Sequence, residues 1–425
     1  MIELFSSPEL WGLALLGTTL GIAVGAIPGL TGMMLIALSL PLTFTMEPVS
    51  GLVLLVAMYV GAVSGGLISA TLLRMPGTPA AVMTTLDGYP MASAGRPGRA
   101  LGLGIGASLV GGLISWLALW QLSEPMADWS TKLGPFELFS LVALALALLA
   151  GVGETTRARG LLAGGLGVLA AMPGMHPATG ELRWTFGLTE MNEGFRLIPV
   201  LIGMFAIGKI IEDVMGKEAK VETVSGDDSP FIPLGTWKKQ IVNLLRSSGI
   251  GTLVGVLPGV GANIGSLAAY VSAKRASKQP EEFGKGSEEG IVASESANNA
   301  TVGGALIPLI ALGIPGSVIG AVLLGALIFH GLIPGPLLFR NSPEAVHAII
   351  GTVLVANVMM YLIMLCGARW IARLSTVPKQ ILLPIVAGSC LWGAYALNGL
   401  WFDVVVMLVF GLVGWKMEKA KLPLA

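Results

Sequence analysis

Charge is what this 425-residue chain has least of. Asp, Glu, Lys and Arg make up 12% of it and cancel to a net charge of zero, where a soluble globular protein carries about 25% charged residues. With no basic stripe interleaved with aromatics, nucleic acid is excluded as a partner. Cysteine is nearly absent: Cys366 and Cys390 both sit in apolar stretches without metal-ligand spacing, which excludes a disulfide framework and a zinc site. The three histidines, His176, His330 and His347, are scattered. There is no His-Glu-x-x-His, no Gly-x-Ser-x-Gly and no pair of intramembrane aspartates, so an enzyme working inside the membrane has no visible nucleophile and base. No Lys or Arg precedes Arg74, so the amino terminus lacks the basic flank of a secretory signal peptide and reads as a mature membrane segment. No catalytic residue, cofactor or resident metal is expected.

What remains is apolar: 54% of residues are hydrophobic and the mean hydropathy is +0.80. The runs Leu101–Leu119, Leu138–Gly151, Leu197–Ile211, Ala348–Cys366 and Phe402–Trp415 approach the ~20 residues that cross a ~30 Å hydrocarbon core. The expected fold is an all-α integral membrane protein with roughly ten to twelve transmembrane segments. The 59 glycines suit helices that approach closely where lipid supplies no hydrophobic drive between them.

One glycine-spaced phrase occurs twice. Gly21-x-x-x-Gly25-x-x-Pro28-Gly29-Leu30-Thr31-Gly32 is followed 230 positions later by Gly251-x-x-x-Gly255-x-x-Pro258-Gly259-Val260-Gly261-Ala262. Each copy precedes an apolar stretch with a Gly-Gly pair and then a second break, Met75-Pro76-Gly77-Thr78 or Ile314-Pro315-Gly316-Ser317. A Pro-Gly step removes a backbone donor and admits left-handed torsions, so each predicts a helix interrupted at membrane depth. Lipid tolerates such a break only where it lines a cavity. Paired interrupted helices at matching positions of two halves mark a secondary transporter with its site near the midplane. The halves are expected at residues 1–215 and 246–425, joined by a hydrophilic linker at 216–245 that reads as a solvated tether.

Basic residues gather in the Arg74–Arg99 loop, the Arg157/Arg159 turn and the Lys209–Arg246 and Lys274–Lys285 stretches. Arg369–Lys379 and Lys416–Lys421 complete the set, all of which the positive-inside rule places in the cytoplasm. Residues 248–273 join two of these loops, so a single crossing there would put one outside. A re-entrant hairpin turning at Pro258-Gly259 removes the conflict, and the same rule suggests a matching hairpin over residues 10–46 from the opposite face. The expected arrangement is two inverted repeats. Asp87, in Leu86-Asp87-Gly88-Tyr89-Pro90, reads as a turn closing a loop.

Half-helices starting after these breaks would aim free amides and positive dipole ends at an anion. Carboxylates suit such ends. The expected substrate contacts are Pro28, Gly29 and Thr31; Pro76, Gly77 and Thr78; Pro258, Gly259 and Asn263; and Pro315, Gly316 and Ser317. Asn298 and Asn299 offer carbonyls for a hard cation and amides for a carboxylate; alternatively one of them caps the apolar helix that follows. Thr31, Asn298, Asn299 and Ser317 are the candidate ligands of a coupling cation. Glu289 and Glu295 are either cation or proton ligands or carboxylates of a solvated loop, and Arg74 either meets an anionic substrate or snorkels to the interface.

Taken together, Pro28-Gly29-Leu30, Tyr59-x-Gly61 with Gly65-Gly66, Pro76-Gly77-Thr78-Pro79-Ala80-Ala81, Asp87-Gly88-Tyr89-Pro90, Phe283-Gly284-Lys285-Gly286, Asn298-Asn299 and Gly331-Leu332-Ile333-Pro334-Gly335-Pro336 resemble the large membrane subunit of the tripartite tricarboxylate transporter family over nearly the whole chain. The resemblance implies a multi-pass permease of the bacterial inner membrane, driven by an ion gradient with sodium as coupling cation, importing di- and tricarboxylates. It also implies two partners, a small four-helix membrane subunit and a periplasmic solute-binding protein. Two departures stand out: Arg74 takes the place of an expected asparagine, and the family usually carries a further apolar tail beyond Ala425. A passive anion-selective channel and a noncatalytic membrane scaffold are the rival readings, and oligomeric assembly is left open.

Overall fold

The computed structural model describes residues 7–28, 30–152, 157–176, 179–215, 228–258, 260–374, 379–396 and 398–422. Gly29, Gly259 and residues 216–227 of the expected linker lie outside the described residues. Among the described residues seventeen α-helices follow in chain order: α1 Pro8–Ala26, α2 Gly32–Thr43, α3 Pro48–Leu73, α4 Val82–Ser93, α5 Pro97–Ser130, α6 Pro135–Val152, α7 Arg157–Ala170, α8 Leu197–Leu201, α9 Gly208–Met215, α10 Leu234–Val256, α11 Gly261–Ala276, α12 Glu288–Leu312, α13 Val318–Phe329, α14 Pro336–Asn341, α15 Pro343–Leu374, α16 Lys379–Ala396 and α17 Trp401–Lys419. The only strands among the described residues are β1 Gly174–Met175 and β2 Leu182–Arg183, an antiparallel pair.

The protein is thus an all-α membrane protein. All five apolar runs singled out in the sequence fall within helical stretches. Among the described residues four helices have the length and apolarity to cross a membrane: Pro8–Ala26, Pro48–Leu73, Pro97–Ser130 and the Pro343–Ala368 part of α15. Five shorter apolar helical stretches accompany them. The part of the expected linker after Pro233 is already helix α10, and Lys209 lies inside α9.

Two compact units emerge. The first comprises Met1–Ile36, Met46–Phe136 and Ala219–Val377; the second comprises Ala37–Thr45, Glu137–Glu218 and Pro378–Ala425. In the second unit a π-helical turn over Ile202–Ile207 packs on α17, where Gly411 and Gly414 leave room for Ile207 and Met204. Arg196 bridges Asp403 at 3.1 Å, and Asp403 is 2% exposed. Asn398 donates a second hydrogen bond to the same carboxylate oxygen, so the buried charge is paired and satisfied.

The first unit is organised by helices whose backbones touch. A Cβ on Gly25 of α1 would lie 2.3 Å from the Ala62 carbonyl oxygen of α3, and one on Gly65 would lie 2.4 Å from the Ile22 oxygen. The same packing recurs between α10 and α12, where Gly255 faces the Thr301 oxygen and Gly304 the Thr252 oxygen. Each residue of the second set follows its counterpart by 230 positions on α10 and 239 on α12, so the sequence repeat is a repeat of packing. It extends to the second breaks: Gly77 is pressed against the Gly25 oxygen and Gly316 against the Gly255 oxygen. It extends also to the caps, for α3 ends on Arg74 with φ 56° and α12 ends on Gly313, 239 positions later, with φ 70°.

The first breaks differ between the halves. In the second, α11 folds back on α10, with Gly265 against Gly251 and Val254 on either side of Pro258. In the first, the start of α2 packs instead on α3 and α13, through Gly32 against Ala62 and Ile319. Asp87 is not in a turn: it is a fully buried residue inside α4, where its carboxylate accepts from Tyr270 and three backbone amides.

Two substitutions test this packing. Gly65→Ala forces α1 and α3 apart and should cost about 1–3 kcal/mol, read as a lower thermal midpoint of the purified protein. Arg74→Gly should act oppositely. It relieves left-handed strain of about 1–2 kcal/mol while losing a cation–π contact with Tyr89 at 5.6 Å, which is worth about 0.5–1 kcal/mol at an exposed site, so the midpoint should rise.

Candidate functional site

Helix α12 carries the polar interior of the first unit. It is capped by Ser287, whose hydroxyl accepts from the Gly290 amide at 3.2 Å, so neither Asn298 nor Asn299 is a cap. Both lie mid-helix and are 0–1% exposed, as are Ser294, Glu295 and Ser296. Helical spacing sets Glu295, Asn298 and Asn299 on one face.

The neighbours supply short hydroxyls. Ser64 on α3 donates to Asn299 Oδ1 at 2.5 Å, and Asn299 Nδ2 donates to Ser108 Oγ on α5 at 2.7 Å. Ser108 in turn donates to Glu295 Oε2 at 3.2 Å, and Thr84 on α4 donates to Glu295 Oε1. Thr84 also pairs with Ser294 at 3.2 Å. The Asn298 amide bears on the same carboxylate, and its Nδ2 reaches the Val63 carbonyl at 3.4 Å. Asn298 Oδ1 is buried without a hydrogen-bond partner. Among the described residues Glu295 enters none of the salt bridges.

The breaks approach this helix from two sides. The short 3-10 turn Pro79–Ala81, just after the Pro76-Gly77 break, packs on α11 and α12. Ser317, at the other second break, caps α13 by accepting from Gly320 N at 3.0 Å, and its hydroxyl meets the Tyr59 hydroxyl of α3 at 3.1 Å. Each half therefore presents its second break to the central helix of the other.

The sequence-predicted residues fall into three groups. Asn298, Asn299, Gly77, Thr78, Gly316 and Ser317 are brought to the α3–α12 region. Thr78 sits over Gly66 with its hydroxyl oxygen buried and unpartnered. Thr31 is half-buried and accepts from Met34 N at 3.2 Å, as a cap for the first turn of α2. Pro28, Pro258 and Pro315 are half-buried in their turns, whereas Pro76 and Asn263 are exposed. A surface hollow of about 560 Å³ between α10 and α11, lined by Arg246, Ser272 and Arg275 among others, shares no residue with the breaks or with the α12 cluster.

Glu295 is no loop carboxylate. Thr84, Ser108 and Ser64 escape sequence reading, because a lone hydroxyl in a glycine-rich helix looks like packing. Asp87 is another hub: its Oδ1 accepts from the amides of Gly284, Gly286 and Ser287 at 2.8–2.9 Å, and its Oδ2 accepts from Tyr270 at 2.8 Å. Close by in sequence, Arg99 pairs with Glu288 at 2.6 Å, and Asp228 accepts from the amides of Gly98 and Arg99 at 2.7 Å. Three stretches expected on one side of the membrane thus meet at the start of α12.

The sequence profile of the tripartite tricarboxylate transporter TctA family matches residues 12–425. The chain belongs to that family. It is 33% identical over 401 residues to an uncharacterized 52.8 kDa protein of the TAR-I ttuC' 3' region of Agrobacterium vitis, covering 94% of this chain and 80% of that one. An uncharacterized protein of the TAR-II ttuC' 3' region of the same organism is 36% identical over 165 residues, 39% of this chain and 68% of that one. No solved structure matches. The chain is accordingly a multi-pass membrane component of a tricarboxylate transporter, and not an enzyme.

Removing the Asp87 carboxylate strands three backbone donors and a tyrosine hydroxyl, each unsatisfied buried group costing about 1–3 kcal/mol. Asp87→Ala should lower the thermal midpoint far more than Asp87→Asn, which keeps one carbonyl oxygen for the three amides.

Proposed function

We propose that the protein is the permease of a sodium-gradient-driven importer of organic di- and tricarboxylates in the bacterial inner membrane. It works with a small four-helix membrane subunit and a periplasmic solute-binding protein. Family membership supports the substrate class and the tripartite assembly. The observation that carries the mechanism is the pairing of each second break with the opposite half, at Tyr59–Ser317 on one side and at Pro79–Ala81 against α12 on the other.

Two broken helices so placed would present the positive dipole ends of α4 and α13 to an anion between the halves, beside the cap that Ser317 gives Gly320 N. A carboxylate has the charge and the lone pairs for both ends at once. The repeated packing of α1–α3 and α10–α12 is what an inverted-repeat transporter requires, since alternating access exchanges the roles of two like halves. Asn298 and Asn299 would link the carboxylate to the coupling ion, because they lie on the one polar helix that both breaks approach.

The test is uptake of labelled di- and tricarboxylates into proteoliposomes holding the chain with its partner subunits, with and without an inward sodium gradient. Accumulation above equilibrium that requires sodium and is lost in Asn298→Ala/Asn299→Ala is the expected outcome. Equilibration without accumulation would make the protein a channel. Transport that survives substitution of both second breaks and of the asparagine pair would make it a scaffold.

A further inference from the structure

Glu295 poses a charge problem that the proposed carboxylate site does not solve. Its side chain is fully buried, its oxygens accept from Thr84, Ser108 and the Asn298 amide, and among the described residues it enters no salt bridge. A buried carboxylate served only by neutral donors is costly. One turn further along the same face, Asn298 turns a fully buried carbonyl oxygen to no partner at all. Of the ionisable groups on the elements packed around α12, Asp87 of α4 is bound to Tyr270 and three amides, Arg99 of α5 is paired with Glu288, and Arg246 of α10 donates to Asn243.

We propose that Glu295, Asn298 Oδ1 and the hydroxyls of Thr84 and Ser108 form a site for a dehydrated monovalent cation of sodium size, between α12, α4 and α5. A hard cation takes several oxygen ligands, and here two hydroxyls from α4 and α5 meet the carboxylate, with the buried, unpartnered carbonyl oxygen of Asn298 one turn along the same helix. One carboxylate balances one positive charge. Divalent ions gather more acids, and among the described residues no group of three His, Cys, Asp or Glu could hold a metal. A proton on Glu295 would neutralise the charge yet engage only one neighbouring oxygen, whereas a cation satisfies the carboxylate and Asn298 Oδ1 together. The hydroxyls of Thr84 and Ser108 can turn their lone pairs to the ion, since a hydroxyl is donor and acceptor alike.

The site differs from the ligand set expected from sequence. Thr31 and Ser317 cap α2 and α13, whereas Glu295, named from sequence as a possible cation or proton ligand, is joined by Thr84 and Ser108. The inference rests on the transport reading only for the ion's role as co-transported cargo; binding itself is separable from transport.

The experiment is a thermal-unfolding titration of the full chain in detergent at constant pH and ionic strength, replacing choline chloride by sodium chloride, with potassium and lithium in parallel. The wild type should show a saturable rise in midpoint with sodium. Glu295→Gln, nearly isosteric, should lose it, Thr84→Val should weaken the half-saturating concentration about tenfold or more, and Thr352→Val, a buried hydroxyl of α15 outside the cluster, should keep it. Three results would overturn the site: no sodium response in the wild type, an equal response to potassium, or a full response in Glu295→Gln. Failed uptake alongside an intact sodium response would strike the transport reading and leave the site standing.

Discussion

The backbone of α1 touches that of α3, and the backbone of α10 touches that of α12, and the rest of the first unit depends on that closeness. In lipid, helices gain nothing hydrophobic by meeting, so contact must come from fit. Glycine rows supply the fit by removing the side chains that would hold the backbones apart. The breaks then become possible, because Gly77 and Gly316 close onto carbonyl oxygens at the ends of α1 and α10, so the interrupted chain is covered by protein and not by lipid.

Much of this was legible before any coordinate. The glycines signalled that helices approach closely and the Pro-Gly steps where they stop, since both effects are local and written in single residue types. The hairpin at Pro258 followed from charge bookkeeping across 248–273. The unlike course of α2 did not, because Gly32 finds its partners on α3 and α13, at a distance in sequence that no local pattern encodes. Asp87 was misread for a similar reason: Leu-Asp-Gly-Tyr-Pro has the composition of a turn, but four donors from residues 270–287 hold it inside a helix.

The polar interior was half legible. Asn298 and Asn299 stood out because amides are rare in apolar runs, and the cap reading fell once Ser287 took that role. Glu295 looked like the tail of a solvated loop, since the residues before it are acidic. Its burial is set by α4 and α5, which close over it with Thr84 and Ser108, two residues whose type carries no message at that distance. Short hydroxyls gain meaning only in three dimensions, where several of them point at one oxygen.

The two ends of α12 are tied with unequal strength. At its start, the Asp87 carboxylate gathers four hydrogen bonds and Arg99 adds an ion pair to Glu288; near its far end Ser130 donates to the Ala311 carbonyl and Gly335 N to the Ile310 carbonyl, and the second break beyond meets α3 through the hydroxyls of Tyr59 and Ser317. Local opening is drawn from the regions with the fewest such ties. Of the two, the seam between α13 and α3 is the looser: among the described residues one side-chain hydrogen bond crosses it, while parting the base of α12 would undo five polar ties.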